Sequence, residues 1–407
     1  MALSMSGDVT PKISVSKPAH FSVTFALDNA MLEYARDPSA GGGIEIKKTD
    51  WDVSTFVTPF LHPESNLALI SSGYSAGRYA VERTIPGNSE PWRWAQVGTY
   101  IPLAIAGAYL THEAGHFHHD FEDEGPTSDG NIGFYNALST MGGINANLRA
   151  SEALLLRPHE GVMSDIAHIV HEMDPLFYEV GQEFFLFDGT RYSDGEGDLT
   201  SYRKFRQQRS GRYDSGSLTA LAVWSLADTG PAVYRTVRYA RTGESAENPY
   251  GPGNWTLRTT GALSPIGVRL GLRGYYFLEG HNPMPSAVSA EFWSSPTRQG
   301  GEKSIFPFGL EVAGTRLPLP LKFGAYDVAV SGRFVFAEQD ANDWKVSEDV
   351  PEWNTVMIAG GGGVHFQAEE GEFFVNASYK EEGFIPAELF GEGWTVLVGM
   401  NFFLDRN

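Results

Sequence analysis

The chain has 407 residues, a formal net charge of −20 and no cysteine. Disulfides, thiolate metal sites and cysteine nucleophiles are therefore excluded, and a nucleic-acid partner is disfavoured because no stretch concentrates Lys and Arg against the acidic background. A mean hydropathy of −0.23 is too polar for a bundle of transmembrane helices, whereas 46 glycines and 13% aromatics suit a sheet-rich protein.

Residues 1–20 are polar, with Pro11 and Pro18, and lack the basic and apolar regions of a secretory signal. The segment from His20 to Leu27 alternates, with Phe21, Val23, Phe25 and Leu27 on one side, and predicts a strand. A second short strand is expected at 44–47, after Gly41–Gly43. Between Trp51 and Phe187 the pattern turns helical, with Asp52 as one candidate cap and Ser89 before Glu90-Pro91 as a better start signal.

That helix runs through Pro102, where a bend is expected, into Thr111-His112-Glu113-Ala114-Gly115-His116. Residues four apart share a helix face, so His112 and His116 can offer imidazole nitrogens to one ion, with Glu113 beside them as a base for a metal-bound water. The plain alternative is a His-rich helix end facing solvent, continued by the acidic tail around Asp120–Glu124. Seven of the eleven histidines fall between His112 and His171. Further on, Gly142-Gly143 predicts a break in a helical region, Ser164 predicts a cap, and His168 and His171 lie three apart on the helix that follows.

The His-Glu-x-Gly-His form resembles the zincin metallopeptidases, and at the end of an apolar helix it looks most like the membrane-embedded site-2 proteases. The resemblance implies zinc, a hydrolase acting on a protein or peptide, Glu113 as catalytic base, and His112 and His116 as ligands. A gluzincin-like third ligand would be Glu152; a site-2-like one would come from Phe187-Asp188-Gly189. His168 and His171 are the candidates that need no family, and Glu152 and His171 are favoured. A structural zinc clasp between helices is a further possibility.

The basic stretch from Arg203 to Arg212 suits a polar channel or a solvated loop, and Ser217–Leu226 is apolar without a clear period. From about Pro231 the period becomes two. Val268, Leu270, Leu272 and Tyr276 alternate with Arg269, Arg273 and Tyr275, and similar runs recur at 326–336, 373–380 and 394–402. Their length, and aromatics at strand ends (Tyr275, Phe336, Tyr379, Trp394), predict an α+β chain: an antiparallel transmembrane β-barrel with a helical insertion bearing the His-Glu-x-x-His motif. The last strand, with Phe402 and Phe403, resembles the closing strand of bacterial outer-membrane proteins. The expected divisions are 1–50 (tail and first strands), 51–190 (helical) and 191–407 (barrel). The expected setting is the bacterial outer membrane, with membrane lipid as partner. The chain is read there as a zinc hydrolase or as a non-catalytic pore or scaffold with membrane-complex partners.

Overall fold

The computed structural model describes residues 19–28, 63–120, 134–155, 161–183, 198–210, 215–244, 254–278, 285–295, 297–299, 303–339, 356–368, 370–381, 383–386 and 392–404. Strand β1 (Ala19–Asp28) precedes seven helices: α1 (Pro63–Thr84), α2 (Glu90–Asp120), α3 (Phe134–Leu155), α4 (Val162–Glu172), α5 (Asp174–Glu183), α6 (Asp198–Ser210) and α7 (Ser215–Thr242). Ten strands follow: β2 (Trp255–Ser264), β3 (Gly267–Leu278), β4 (Ser286–Ser294), β5 (Thr297–Gln299), β6 (Lys303–Ile305), β7 (Phe308–Phe323), β8 (Tyr326–Glu338), β9 (Val356–Ala368), β10 (Gly371–Lys380) and β11 (Gly393–Leu404). The strand expected at 44–47, the cap at Asp52 and the segment at Asp188 lie outside the described residues.

Nine strands form one antiparallel sheet in the order β1-β11-β10-β9-β8-β7-β4-β3-β2, and β5 and β6 make a separate hairpin. The sheet is open, which overturns the expected barrel: β1 and β2 do not pair with each other. Each edge is met by a helix instead. Ser72 of α1 accepts the Ser22 amide hydrogen at 2.7 Å, so a side chain takes up a backbone donor that a tenth strand would use, while the hydroxyl lies 2.8 Å from the Ala68 carbonyl and 3.0 Å from that of Ser22. At the other end of the sheet, Thr259 of the edge strand β2 donates to the Trp224 carbonyl of α7, and the Trp224 indole donates to the Gly271 carbonyl of the neighbouring β3. With the barrel go the expectations that rested on it, namely membrane lipid as partner, an outer-membrane location, and the pore or scaffold. Among the described residues no helix is long and apolar enough to cross a membrane.

The two-residue period is clear in β3 and β4, and the inner side of the sheet mixes buried charge with an apolar cluster of Trp293, Val335, Ala337, Met357 and Ala359. In β3, Arg269, Arg273 and Tyr275 are buried, while Leu272 and Tyr276 are 45% and 54% exposed. Tyr275, expected in an aromatic girdle, donates to Glu152 of α3 at 2.6 Å. Buried charge is tolerated here because it is paired. Arg273 reaches Glu152, Glu291 and, at 3.0 Å, Glu311. Arg333 meets Glu311 at 3.1 Å, and Arg316 meets Glu372 at 2.8 Å. The outer side carries Phe292, Leu310, Phe334, Phe373 and Phe402, each more than a third exposed.

Apolar burial is concentrated around the helices. One cluster joins Met141 and Ile144 of α3 to Phe205, Leu221 and Leu263. Another joins Tyr74 of α1, Tyr100 and Ala104 of α2, and Met163 and Ile166 of α4. Helix α2 begins at Glu90, with the Arg93 amide bonded to the Ser89 carbonyl, and continues through Pro102. Four local expectations are corrected. Gly142 and Gly143 lie inside the continuous α3. Helix α4 starts at Val162 behind Gly161, whose φ of 59° suits a residue without Cβ, rather than at Ser164. The Arg203–Arg212 stretch is largely helix α6, and helix continues through α7 to Thr242, beyond Pro231.

Candidate metal centre

Helix α2 presents His112 and His116 one turn apart, with ring centroids 4.7 Å apart and planes at 79°. Helix α3 crosses α2 closely because glycines make room. A Cβ on Gly115 would stand 2.3 Å from the Gly142 carbonyl oxygen, and a Cβ on Gly143 would stand 2.6 Å from Nε2 of His112. The two glycines that look like a helix break are thus the seat of the His112 ring.

Both imidazoles are anchored through Nδ1. That of His112 is 2.9 Å from Asp174 Oδ2 at the start of α5, and that of His116 donates to the Ser139 carbonyl at 2.7 Å. Their Nε2 atoms converge on one carboxylate oxygen, Asp198 Oδ2, at 2.8 and 3.2 Å. The Tyr178 hydroxyl is 2.8 Å from His112 Nε2, and its ring stacks on the imidazole at 4.9 Å. Burial opposes charge on His112, but hydrogen bonds and attraction from Asp174 and Asp198 outweigh it and push its pKa up to about 10. His116 is raised against burial by Asp198. The same pairing overcomes burial at Asp198 and holds its carboxyl down at about 2.

Two groups among the described residues can in principle coordinate a metal ion: His112, His116 and Asp198, and His168, Glu172 and Asp228, with the donor atoms of each set within 4.8 Å of one another. The first passes a fit test. Around an ion with bonds of about 2.0–2.1 Å, tetrahedral donors stand about 3.3 Å apart, close to the spacings of Asp198 from the two imidazoles. Each His also has its remaining nitrogen fixed by a carboxylate or carbonyl, as metal-ligating histidines usually do.

The second set already contains a cation. Arg258 makes a bidentate pair with Asp228 and stands 3.8 Å from Glu172. Ser151 completes it, donating to Glu172 at 2.6 Å with its oxygen 2.7 Å from His168 Nδ1. Burial and the neighbouring Asp228 push the Glu172 carboxyl up to about 7.

The other residues singled out in the sequence lie apart from the first group. Glu152 is engaged with Arg273, Tyr275 and, at 3.6 Å, Arg149, and Arg273 holds its pKa low despite burial. His171 has both ring nitrogens occupied, at 2.7 Å from Asn147 Oδ1 and 2.7 Å from the Tyr74 hydroxyl, and burial lowers its pKa to about 3. Glu113 is half-buried on α2. Nothing local in the sequence marks Asp198, Asp174 or Tyr178 as part of this group. Both acids open a helix, so in sequence they read as favourable first-turn carboxylates.

No family model, no curated protein and no solved structure matches the chain. The resemblances to zincin metallopeptidases and to outer-membrane barrel proteins therefore have no family behind them, and the peptidase expectation is withdrawn with them. The geometry agrees: the carboxylate that meets the two histidines, Asp198, corresponds to neither the gluzincin nor the site-2 candidate.

Proposed function

We propose that this protein is a metal-binding protein that holds one zinc ion through Nε2 of His112, Nε2 of His116 and the Asp198 carboxylate, using it as a clasp between α2 and α6. The observation that carries this reading is the convergence of both Nε2 atoms on Asp198 Oδ2 while both Nδ1 atoms are held from behind. Such an arrangement fixes tautomer and ring direction before the ion arrives, which lowers the cost of binding. The ion would tie together segments 86 residues apart in the chain. At a free concentration of 100 times Kd it would add about 2.7 kcal/mol to stability.

Elemental mass spectrometry of the purified protein, beside the His112→Ala/His116→Ala double variant, tests the reading. One zinc per chain is expected in the wild type and none in the double variant, with a lower Tm after chelation. Iron is measured in the same run, because two histidines and a carboxylate also suit ferrous iron. Absence of any stoichiometric metal in the wild type would overturn the reading. Glu113→Gln should leave both metal content and Tm unchanged, since the clasp asks nothing of that carboxylate.

A further inference from the structure

The inner face of the sheet and α3 bound a cavity of about 330 Å³, within the lower range of small-molecule sites. It is separate from the metal centre and shares no residue with it. Its charge runs against that of the protein. Five cationic side chains, Arg149, Arg273, Arg316, Arg333 and Lys380, line it from five different elements, while Glu152 and Glu311 are the carboxylates in its wall. Counting the two further carboxylates that pair with these cations among the described residues, Glu291 and Glu372, the described wall carries one more positive than negative charge, in a chain of net charge −20. The surplus becomes two when Arg269, the second partner of Glu291, is included.

The wall also offers neutral hydrogen-bonding groups. Ser331, Asn376, Ser378, Thr395 and Asn401 line the cavity, and Asn376 Oδ1 is buried without a hydrogen-bond partner among the described residues. Glycines admit these side chains. A Cβ on Gly361 would collide with Ser378 at 2.5 Å, and one on Gly363 would collide with Asn376. Solvent reaches the wall, because the Arg149 and Arg333 side chains keep 31% and 25% of their surface exposed. A rigid sheet supplies most of the groups, so they stand preorganised.

We propose that this cavity is a binding site for a small polyanion, a molecule bearing two or more carboxylate or phosphate groups together with hydroxyls. A guanidinium carries its N–H donors in a planar fork that matches carboxylate and phosphate, the Arg273 Nε–H is buried without a partner among the described residues, and the ligand's hydroxyls suit the Ser, Thr and Asn side chains.

Isothermal titration with citrate and with inorganic pyrophosphate tests the assignment, with glycerol and putrescine as neutral and cationic controls. Saturable binding of at least one anion at one site per chain, and of neither control, is expected. Arg149→Glu should weaken it at least tenfold, and Thr395→Trp should abolish it by filling the cavity without changing charge, each with a wild-type circular dichroism spectrum. Two results would each overturn the assignment: no saturable binding by either anion to the wild type, or equal anion affinity in folded Arg149→Glu and Thr395→Trp.

Discussion

Asp174 Oδ2 stands 2.9 Å from Nδ1 of His112, the ring nitrogen opposite the one that faces Asp198. It therefore acts on the proposed ion only through the imidazole, by holding its tautomer and direction. Asp174→Asn should weaken zinc binding about 10- to 100-fold, whereas Asp198→Ala should reduce stoichiometric zinc to background. Competition titration with a chromophoric chelator separates the two effects; equal losses would mean that Asp174 does more than orient.

Gly143 supplies a test from the opposite side of the ring. Alanine favours a helix interior by about 1 kcal/mol over glycine, yet its Cβ would meet His112 Nε2 at 2.6 Å. Gly143→Ala should keep helical content in circular dichroism and lose at least tenfold in zinc affinity. Unchanged affinity would show that the ring has room to shift.

Arg273 balances Glu152, Glu291 and Glu311 at once. Arg273→Met leaves buried carboxylates short of a cation and should destabilise the fold by about 3–5 kcal/mol in urea unfolding. Arg273→Lys should recover part of this, since it restores the charge without the fork of donors.

Acid should act on the same inner face. Burial opposes charge on Glu311 and Glu372, but Arg333 and Arg273 around the first, and Arg316 and His365 around the second, hold both well below the usual carboxylate range. A depressed folded-state pKa contributes stability that is present above the unfolded value of about 4.5 and is lost as pH falls from there towards the folded value. Urea midpoints measured from pH 7 to pH 3 should therefore drop most steeply below about pH 4.5. Glu372→Gln should lower the midpoint at pH 7 and flatten the decline.

The edge contact of α1 is a smaller device. Ser72 accepts from the Ser22 amide and has its one hydroxyl proton within reach of the Ser22 and Ala68 carbonyls, so Ser72→Ala should cost about 1–3 kcal/mol through the unsatisfied Ser22 amide. Hydrogen exchange should show the loss at β1 before the rest of the sheet.

Periodicity carries part of this architecture. The alternation at 268–278, 326–336, 373–380 and 394–402 corresponds to β3, β8, β10 and β11, and the cap at Ser89 to the start of α2. Closure of the sheet was not legible, because it depends on what lies beside β1 and β2, and a period of two is the same in open and closed sheets. At the metal centre, the spacing of His112 and His116 is local and visible in sequence. Asp198 arrives from 86 residues beyond His112, and the first turn of a helix is where an acid is expected for reasons unrelated to metal. Gly143 misleads for a related reason: a glycine that admits a neighbouring ring looks the same in sequence as one that breaks a helix.

The pairing of β1 with β11, in which Ala19 faces Leu404 and Asp28 faces Thr395, sets a kinetic condition on the molecule. This seam joins segments separated by almost the whole chain, so its loop-closure entropy is the largest in the sheet, whereas β7 to β11 are built from neighbours in sequence. The C-terminal meander can therefore assemble early, with β11 waiting as a template. Seating β1 on it, under the guard of α1, is then the late event of folding.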